Sequence, residues 1–419
     1  MIILVLIDSI TNPRWTDGIM RTSIIDKHYF LIDYIRRNRE TSRNQITKFF
    51  NMNAATVGNI VDRLLNEEVI IEDGEIAGDE AAGAGRPPIA LRLNPDASYF
   101  IGINFSGDSY CAVMTDFTGN AVMTIADHFP LPVKKDRVLG SLISAVNCLI
   151  ADSGIPRDKL SGIGVGAPGV VNMKTNCVLR YPRIKGFENV NIADVMGPIF
   201  SLPVFVDHNS NCFAAGEVNL GSAGGFLNTV NIIIRTGIAM GIIRNREIFS
   251  MSEISAGELG HITINPKGGK CWCGNKGCLE TLISGWALEK TLKKALRLGD
   301  IEKMYSPEEF ARLAVDGNPF AVAVLNEMFD YLGIAISDVI RLLRPQAVVI
   351  NGCFNAAGEL MSGRINQVIQ DRAGINDTEI IISEHDDRIG ACGAALMAIS
   401  RLHNPFYQIN NAVQNAVNL

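Results

Sequence analysis

The sequence predicts an α/β protein in which an N-terminal winged helix-turn-helix precedes two α/β lobes built on one plan. Three observations carry this. Apolar positions at helical spacing, a tight turn and a strand pair follow one another between residues 20 and 93. A strand-turn-strand pattern that begins at Tyr99 returns at Asn228. A chain of 419 residues with 47% hydrophobic and 20% charged residues, 39 glycines and 16 prolines is a packed globular chain of two or three domains, not a disordered or collagen-like one.

In order along the chain, Ile24, Ile25, Phe30, Leu31, Tyr34 and Ile35 recur at helical spacing and end in the basic cluster Arg36, Arg37, Arg39. Ser42, with Gln45 three residues on, opens a second short helix through Ile46, Phe49 and Phe50. Asn51-Met52-Asn53 breaks it, and a third helix from about Ala54 to Asn66 places Val57, Ile60, Val61, Leu64 and Leu65 on one face. Val69 to Ile71 and Ile89 to Leu93 are the strands of the wing, joined by the small-residue loop Gly78 to Gly85 and stiffened by Arg86-Pro87-Pro88. Asn94-Pro95 closes this head, and residues 94–98 are a short linker.

Tyr99 to Phe105, Tyr110 to Asp116 and Ala121 to Ile125 read as a three-strand meander, followed by a helix from about Arg137 to Ala151 and short strands at Ser161 to Ala167 and Val204 to Val206. The second lobe repeats this at Asn228 to Ile234, Ile238 to Arg244 and Glu247 to Phe249, with long helices at 286–298, 307–316 and 319–343 and a buried strand at Ala347 to Ile350. The expected division is therefore 1–19 as an N-terminal extension, 20–93 as the winged helix-turn-helix, 99–225 and 226–402 as the two lobes, and 403–419 as a C-terminal tail. The apolar opening MIILVLIDSI is short and lacks the flanks of a signal peptide or membrane span, and nine cysteines, an odd number, point to a reducing, cytoplasmic setting.

His261-x9-Cys271-x-Cys273-x4-Cys278 sets three thiolates and one imidazole within eighteen residues, a closed set of N and S ligands that describes a structural Zn²⁺ site. Glu258 precedes this loop and Glu280 follows it. Carboxylates held by a metal-stapled loop can accept bidentate hydrogen bonds from the adjacent hydroxyls of a sugar ring, or they are solvated surface acids.

The helix-turn-helix with its Gly85-Arg86-Pro87-Pro88 wing, the run Gly162-Ile163-Gly164-Val165-Gly166-Ala167-Pro168-Gly169, Gly257-Glu258-Leu259-Gly260-His261 and Cys271 to Glu280 together resemble the ROK family of repressors, open reading frames and sugar kinases. The resemblance implies a two-lobed actin-like, hexokinase-type ATPase fold that holds a sugar in the cleft between the lobes. It also implies sugar contacts by Glu258, His261 and Glu280, with His261 both ligating zinc and facing the sugar. The departures from the family's kinases are informative. Asn104-Phe105-Ser106-Gly107-Asp108 stands in place of the Asp-x-Gly-Gly-Thr phosphate loop, so Asn104 is a degenerate phosphate position and an aspartate lies where phosphate approaches. Asp207-His208-Asn209-Ser210-Asn211 places Asn209 where the kinases hold their catalytic Asp, and an amide cannot take up the hydroxyl proton. Arg235-Thr236-Gly237 and Asn351-Gly352-Cys353-Phe354 put side chains where the nucleotide loops are glycine-rich. Together these imply that phosphoryl transfer is lost while His208 and Asn209 still hydrogen-bond sugar hydroxyls.

Residues 20–66 carry eight Lys or Arg against four acids, a local +4 in a chain of net charge −6. The third helix is expected in the major groove of double-stranded operator DNA, with Asn53, Thr56 and Asn59 at base edges and Arg63 on phosphate. Ser42 and Arg43 would touch the DNA backbone, and Arg86 the adjacent minor groove. The expected function is a sequence-specific transcriptional regulator, a repressor of carbohydrate genes, homodimeric or homotetrameric, with no membrane partner. It would be controlled by a sugar or sugar phosphate in a catalytically silent kinase-like module. The rival readings are an active sugar kinase with an attached DNA-binding domain, and a regulator answering to a protein partner. Arg180, Arg183 and Lys185, near the cleft mouth, either favour a phosphorylated or acidic sugar or form a solvated basic loop.

Overall fold

The computed structural model describes residues 24–76, 87–250, 253–254, 257–373 and 377–403. The expected extension 1–19, the start of the first helix, the Gly78 to Gly85 loop, Arg86 and the tail beyond His403 lie outside them.

The head comprises α1 (Ile24–Asn38), α2 (Arg43–Phe50), α3 (Ala54–Asn66) and the antiparallel ribbon β1 (Ile70–Glu75) and β2 (Ile89–Leu93). Local chemistry sets the boundaries. Ser42 and Gln45 form a reciprocal capping box at the start of α2, Asn51 ends that helix in the left-handed conformation, and the Asn53 side chain caps α3 by accepting from the Ala55 amide. Leu31, Ile35, Ile46, Val57, Val61 and Leu91 are fully buried between these elements, each contributing about 1.5–3 kcal/mol by leaving water.

The first lobe runs β3 (Tyr99–Phe105), β4 (Ser109–Thr115), β5 (Ala121–His128), α4 (Lys135–Asp152), β6 (Leu160–Ala167), a small sheet of β7 (Val170–Asn172), β8 (Cys177–Arg180) and β9 (Glu188–Asn191), then α5 (Ile192–Phe200), β10 (Val204–His208) and α6 (Asn209–Asn219). The second lobe follows with β11 (Thr229–Ile234), β12 (Ile238–Arg244), β13 (Glu247–Ile248), α7 (Gly285–Leu298), α8 (Pro307–Val315), α9 (Pro319–Leu343), β14 (Ala347–Gly352), α10 (Gly358–Ala373), β15 (Glu379–Ile382) and α11 (Arg388–His403). The main sheets have orders β10-β6-β3-β4-β5 and β13-β12-β11-β14-β15, each an antiparallel meander extended by two parallel strands, so one plan is used twice.

The division at 225/226 does not follow the packing. α11, expected in the second lobe, returns to the first sheet: a Cβ on Gly102 would come 2.0 Å from the Ala391 carbonyl oxygen and one on Gly164 1.9 Å from that of Ala394. Gly393 meets α6 equally closely, 1.7 Å from the Cys212 carbonyl oxygen. Only glycines let helix and sheet backbones approach this far. The linker 94–98 is also a fixed joint, since Asn94 caps a 3-10 turn over Pro95–Ala97 and Lys159 donates to the Asp96 carbonyl at 3.0 Å. The head core continues into Phe100, Phe117, Phe205 and Ile399, so head and first lobe share one apolar cluster. α9 is long and apolar enough to cross a membrane, yet Leu325, Phe329, Leu332 and Ile336 bury it in the second-lobe core.

Candidate functional site

The metal loop is built from two stretches drawn together by glycine. Gly277, at φ +66°, lies so close to Asn265 that a Cβ would come 1.5 Å from its carbonyl oxygen, and this approach sets Cys278 beside Thr263. His261, Cys271, Cys273 and Cys278 then converge with all ligand atoms within 4.8 Å of one another. Cys271 Sγ lies 3.6 Å from His261 Nδ1, and Cys273 Sγ 3.7 Å from Cys278 Sγ. A tetrahedral ion with bonds of about 2.3 Å to sulfur and 2.0–2.1 Å to nitrogen separates neighbouring ligands by about 3.6–3.8 Å. The Cys271–His261 and Cys273–Cys278 separations match such an ion. Burial holds the His261 imidazole below its ordinary pKa, which favours the neutral form that ligates.

The loop also brings its two carboxylates to the cleft. Glu258 Oε2 stands 3.6 Å from His261 Nε2, the ring nitrogen turned away from the thiols. Burial first, and then the negative charge of Glu280, push the Glu258 carboxyl up to about 7. Glu280 is buried, and its Oε1 accepts from Trp272 Nε1 at 2.7 Å and from Arg183 Nη2 at 2.6 Å. Arg183 belongs to the loop between β8 and β9, so this ion pair crosses from the first lobe to the second.

Asn104 and Asn209, the degenerate phosphate and base positions, are brought together: Asn104 Nδ2 donates to the Asn209 carbonyl, and Asn209 Nδ2 to that of Phe105, both at 3.4 Å. Asn209 Oδ1 is buried with no hydrogen-bond partner. His208 is buried, its Nδ1 lies 2.6 Å from Ser210 Oγ, and its ring also bonds the Gly169 backbone. It caps α6 by accepting from the Ser210 amide, so Nδ1 is engaged within the fold.

On the other side of the cleft lies a cavity of ≈ 1650 Å³ lined by seven carboxylates, those of Asp108, Glu289, Glu308, Glu359, Glu384, Asp386 and Asp387. Its two guanidiniums are already paired with acids of the same wall, Arg235 with Asp387 and Arg388 with Asp386. Arg235 also donates to Asn351 Oδ1 at 2.8 Å and lies over the Phe213 ring. A nucleotide triphosphate entering here meets uncompensated negative charge where kinases supply cations and bare backbone amides.

In the head, Asn53 and Asn59 are exposed and Thr56 half-buried at three-residue spacing along the start of α3, while Asn53 Oδ1 is engaged in capping, accepting from the Ala55 amide. Ser42 is buried in the capping box, which leaves its hydroxyl no reach to a DNA backbone. Arg43 spans Asp62 at 2.9 Å and Glu72 at 2.5 Å. Arg63 stands one turn beyond Asn59, pairs with Glu67 at 2.7 Å and also lines a crevice against Ser98 of the linker and Lys159 of the first lobe. Sequence reasoning missed the use of the basic cluster. Arg36 Nη1 donates to Asn219 Oδ1 at 2.8 Å, Arg39 Nη2 to the Asn219 carbonyl at 3.3 Å, and Arg37 pairs with Glu247 on β13. No local signal distinguishes such docking arginines from DNA-facing ones.

The fold and site define a class: a two-lobed module of actin-like ATPase fold with a His/Cys₃ loop, carrying a helix-turn-helix head. Residues 101–401 match the ROK family, and the chain belongs to it. The xylose repressor of Caldicellulosiruptor bescii is 28% identical over 375 residues, covering 87% of this chain and 92% of that protein. Among solved structures, a ROK family transcriptional regulator described as a homologue of the E. coli MLC protein matches with a TM-score of 0.74 and 26% identity, covering 93% of this chain and 98% of its own. A ROK glucokinase from Streptomyces griseus, in complex with glucose and AMPPNP, matches at 0.64 and 25% identity, covering 72% of this chain and 99% of its own.

Proposed function

We propose that this chain is a sequence-specific DNA-binding transcriptional regulator of carbohydrate genes, acting as a repressor in the cytoplasm, whose kinase-like module binds a sugar or sugar phosphate without phosphorylating it. The observation that carries the reading is the acidic nucleotide side, where both guanidiniums pair with acids of the same wall and Asn209 stands for the base. The similarity to proteins described as a xylose repressor and a ROK transcriptional regulator supports it.

In this reading Glu258, His261, Glu280 and Asn209 hold the sugar. The orphaned Asn209 Oδ1 is an acceptor that a hydroxyl would satisfy. Zn²⁺ on His261, Cys271, Cys273 and Cys278 is structural and fixes the loop that aims the two glutamates. Asn53, Thr56 and Asn59 read base edges, and two heads of a homodimer or homotetramer engage operator half-sites. Cleft and head are joined by α6, whose eleven residues span about 16 Å at 1.5 Å each, from Asn209 in the cleft to Asn219 beneath Arg36 and Arg39. A change in lobe angle moves the seat of α1. A coupling of about 1–3 kcal/mol gives a 5- to 150-fold change in operator affinity.

The test is operator binding at one fixed salt concentration, with and without a panel of sugars. A sugar that shifts affinity supports the reading. Sustained ATP turnover with any sugar in a coupled assay overturns the silent-module part of it.

A further inference from the structure

We infer that the pocket selects sugars carrying an anionic group, a carboxylate or a phosphate, and that Arg183 is the residue that selects them. This rests on the reading of Glu258 and Glu280 as sugar-facing.

Arg183 comes from the lobe opposite Glu258, His261 and Glu280 and is neither a metal ligand nor part of the Gly-Glu-Leu-Gly-His stretch. Its basic neighbours Arg180 and Lys185 are exposed, whereas the Arg183 side chain is only 18% exposed and reaches across the cleft to Glu280, itself 5% exposed. The guanidinium lies over the Trp286 ring, 5.6 Å from its centroid. A shelf and a counter-charge thus hold this one side chain of the basic loop in the cleft.

The consequence is competition for Glu280 Oε1. That oxygen already has two donors, Trp272 Nε1, carried by the metal loop, and Arg183 Nη2, carried by the opposite lobe. A sugar hydroxyl that reaches Oε1 as the cleft adjusts replaces the donor from the opposite lobe. A neutral sugar would then strand the guanidinium in a partly desolvated cleft, which costs more than the hydroxyl returns. A sugar with its own carboxylate or phosphate gives Arg183 a new anion while its hydroxyls take over Glu280, so one ion pair is exchanged for another. Only one of the guanidinium's five donors is committed to Glu280, and its planar fork matches a carboxylate or phosphate in two-point contact.

Calorimetry on the intact chain tests this with the neutral probes glucose, mannose and xylose, the anionic probes glucose 6-phosphate, mannose 6-phosphate and glucuronate, and inorganic phosphate. The expected result is that at least one anionic probe binds tighter than its neutral counterpart by about tenfold or more, equivalent to about 1.4 kcal/mol. Phosphorylated hexoses winning over glucuronate identifies a phosphate as the anion, and the reverse order a carboxylate. In Arg183→Ala, or in Arg183→Gln if the first variant melts early, the preference disappears while neutral sugars bind as well or better. Equal binding of neutral and anionic partners by the native chain overturns the inference and leaves the pocket intact. A preference that survives in both variants, or inorganic phosphate binding as tightly as the sugar phosphates, also overturns it. Binding of no probe at all removes the pocket reading itself, and this inference with it.

Discussion

Single side chains in this protein are poised by what surrounds them, and His208 is the clearest case. Burial holds its imidazole at about 4, below the ordinary 6.5. Because the folded value is the lower one, the neutral ring is matched to the fold above pH 6.5, and stability falls as pH drops from there toward 4. The loss is about 2 kcal/mol by pH 5. His208→Asn retains a helix-capping side chain and removes the titration, so urea unfolding at pH 7.5 and pH 5 should show a smaller difference in the variant than in the native chain. Cys278→Ser is expected to lower bound zinc from about one per chain to near zero and to reduce the melting temperature, read by elemental analysis and a thermal scan.

At the scale of elements, the interface between α1 and the lobes holds four arginines around few acids. Arg36 and Arg37 share Asp33 at 2.7 and 2.6 Å, and despite its burial their charges hold that carboxyl below the usual range. The Arg246 guanidinium is held below its ordinary value by burial and then by the charges of Arg36, Arg37 and Arg39. An interface of this kind is specific without being strongly cohesive, which suits the joint that the proposed sugar response moves. Arg37→Ala should leave operator affinity in the absence of effector within a few-fold of native while reducing the sugar response, about 1–3 kcal/mol if coupling is of ordinary size, toward zero in a fixed-salt anisotropy titration. On α3, Asn59→Ala should cost about 1–3 kcal/mol of operator binding and relax specificity at one base pair, whereas Arg63→Ala should weaken binding about uniformly across sequences and lower the salt slope by about 1.

For the whole molecule, the local +4 of the head does not translate into an equal charge on DNA, because Arg36, Arg37 and Arg39 face the lobes and Arg43 and Arg63 are paired within the head. In the proposed reading, silence toward ATP is likewise distributed. Restoring the base alone, Asn209→Asp, should leave turnover at background in a coupled assay, since the acidic wall and the Arg235–Asp387 pair still oppose the triphosphate. Turnover at enzymatic rates in that variant would show that one residue held the activity in check.

The sequence by itself determined what depends on neighbours along the chain. The Ser42–Gln45 capping box, the bounds of α3, the repeated meander and the His/Cys₃ spacing are set by hydrogen bonds and periodicities a few residues long. α6 and α11 gave no such signal, because α6 is buried over nearly its whole length and α11 over most of its described residues, so neither carries a polar stripe to mark a period. Only the tertiary structure decided that α11 returns to the first sheet, that His208 is buried against Ser210, that the basic end of α1 docks on Asn219 and Glu247, and that Arg183 crosses the cleft to Glu280. Each of these joins groups that are distant in sequence or settles which way a side chain faces, and the partner that makes the choice favourable exists only once the layers have packed.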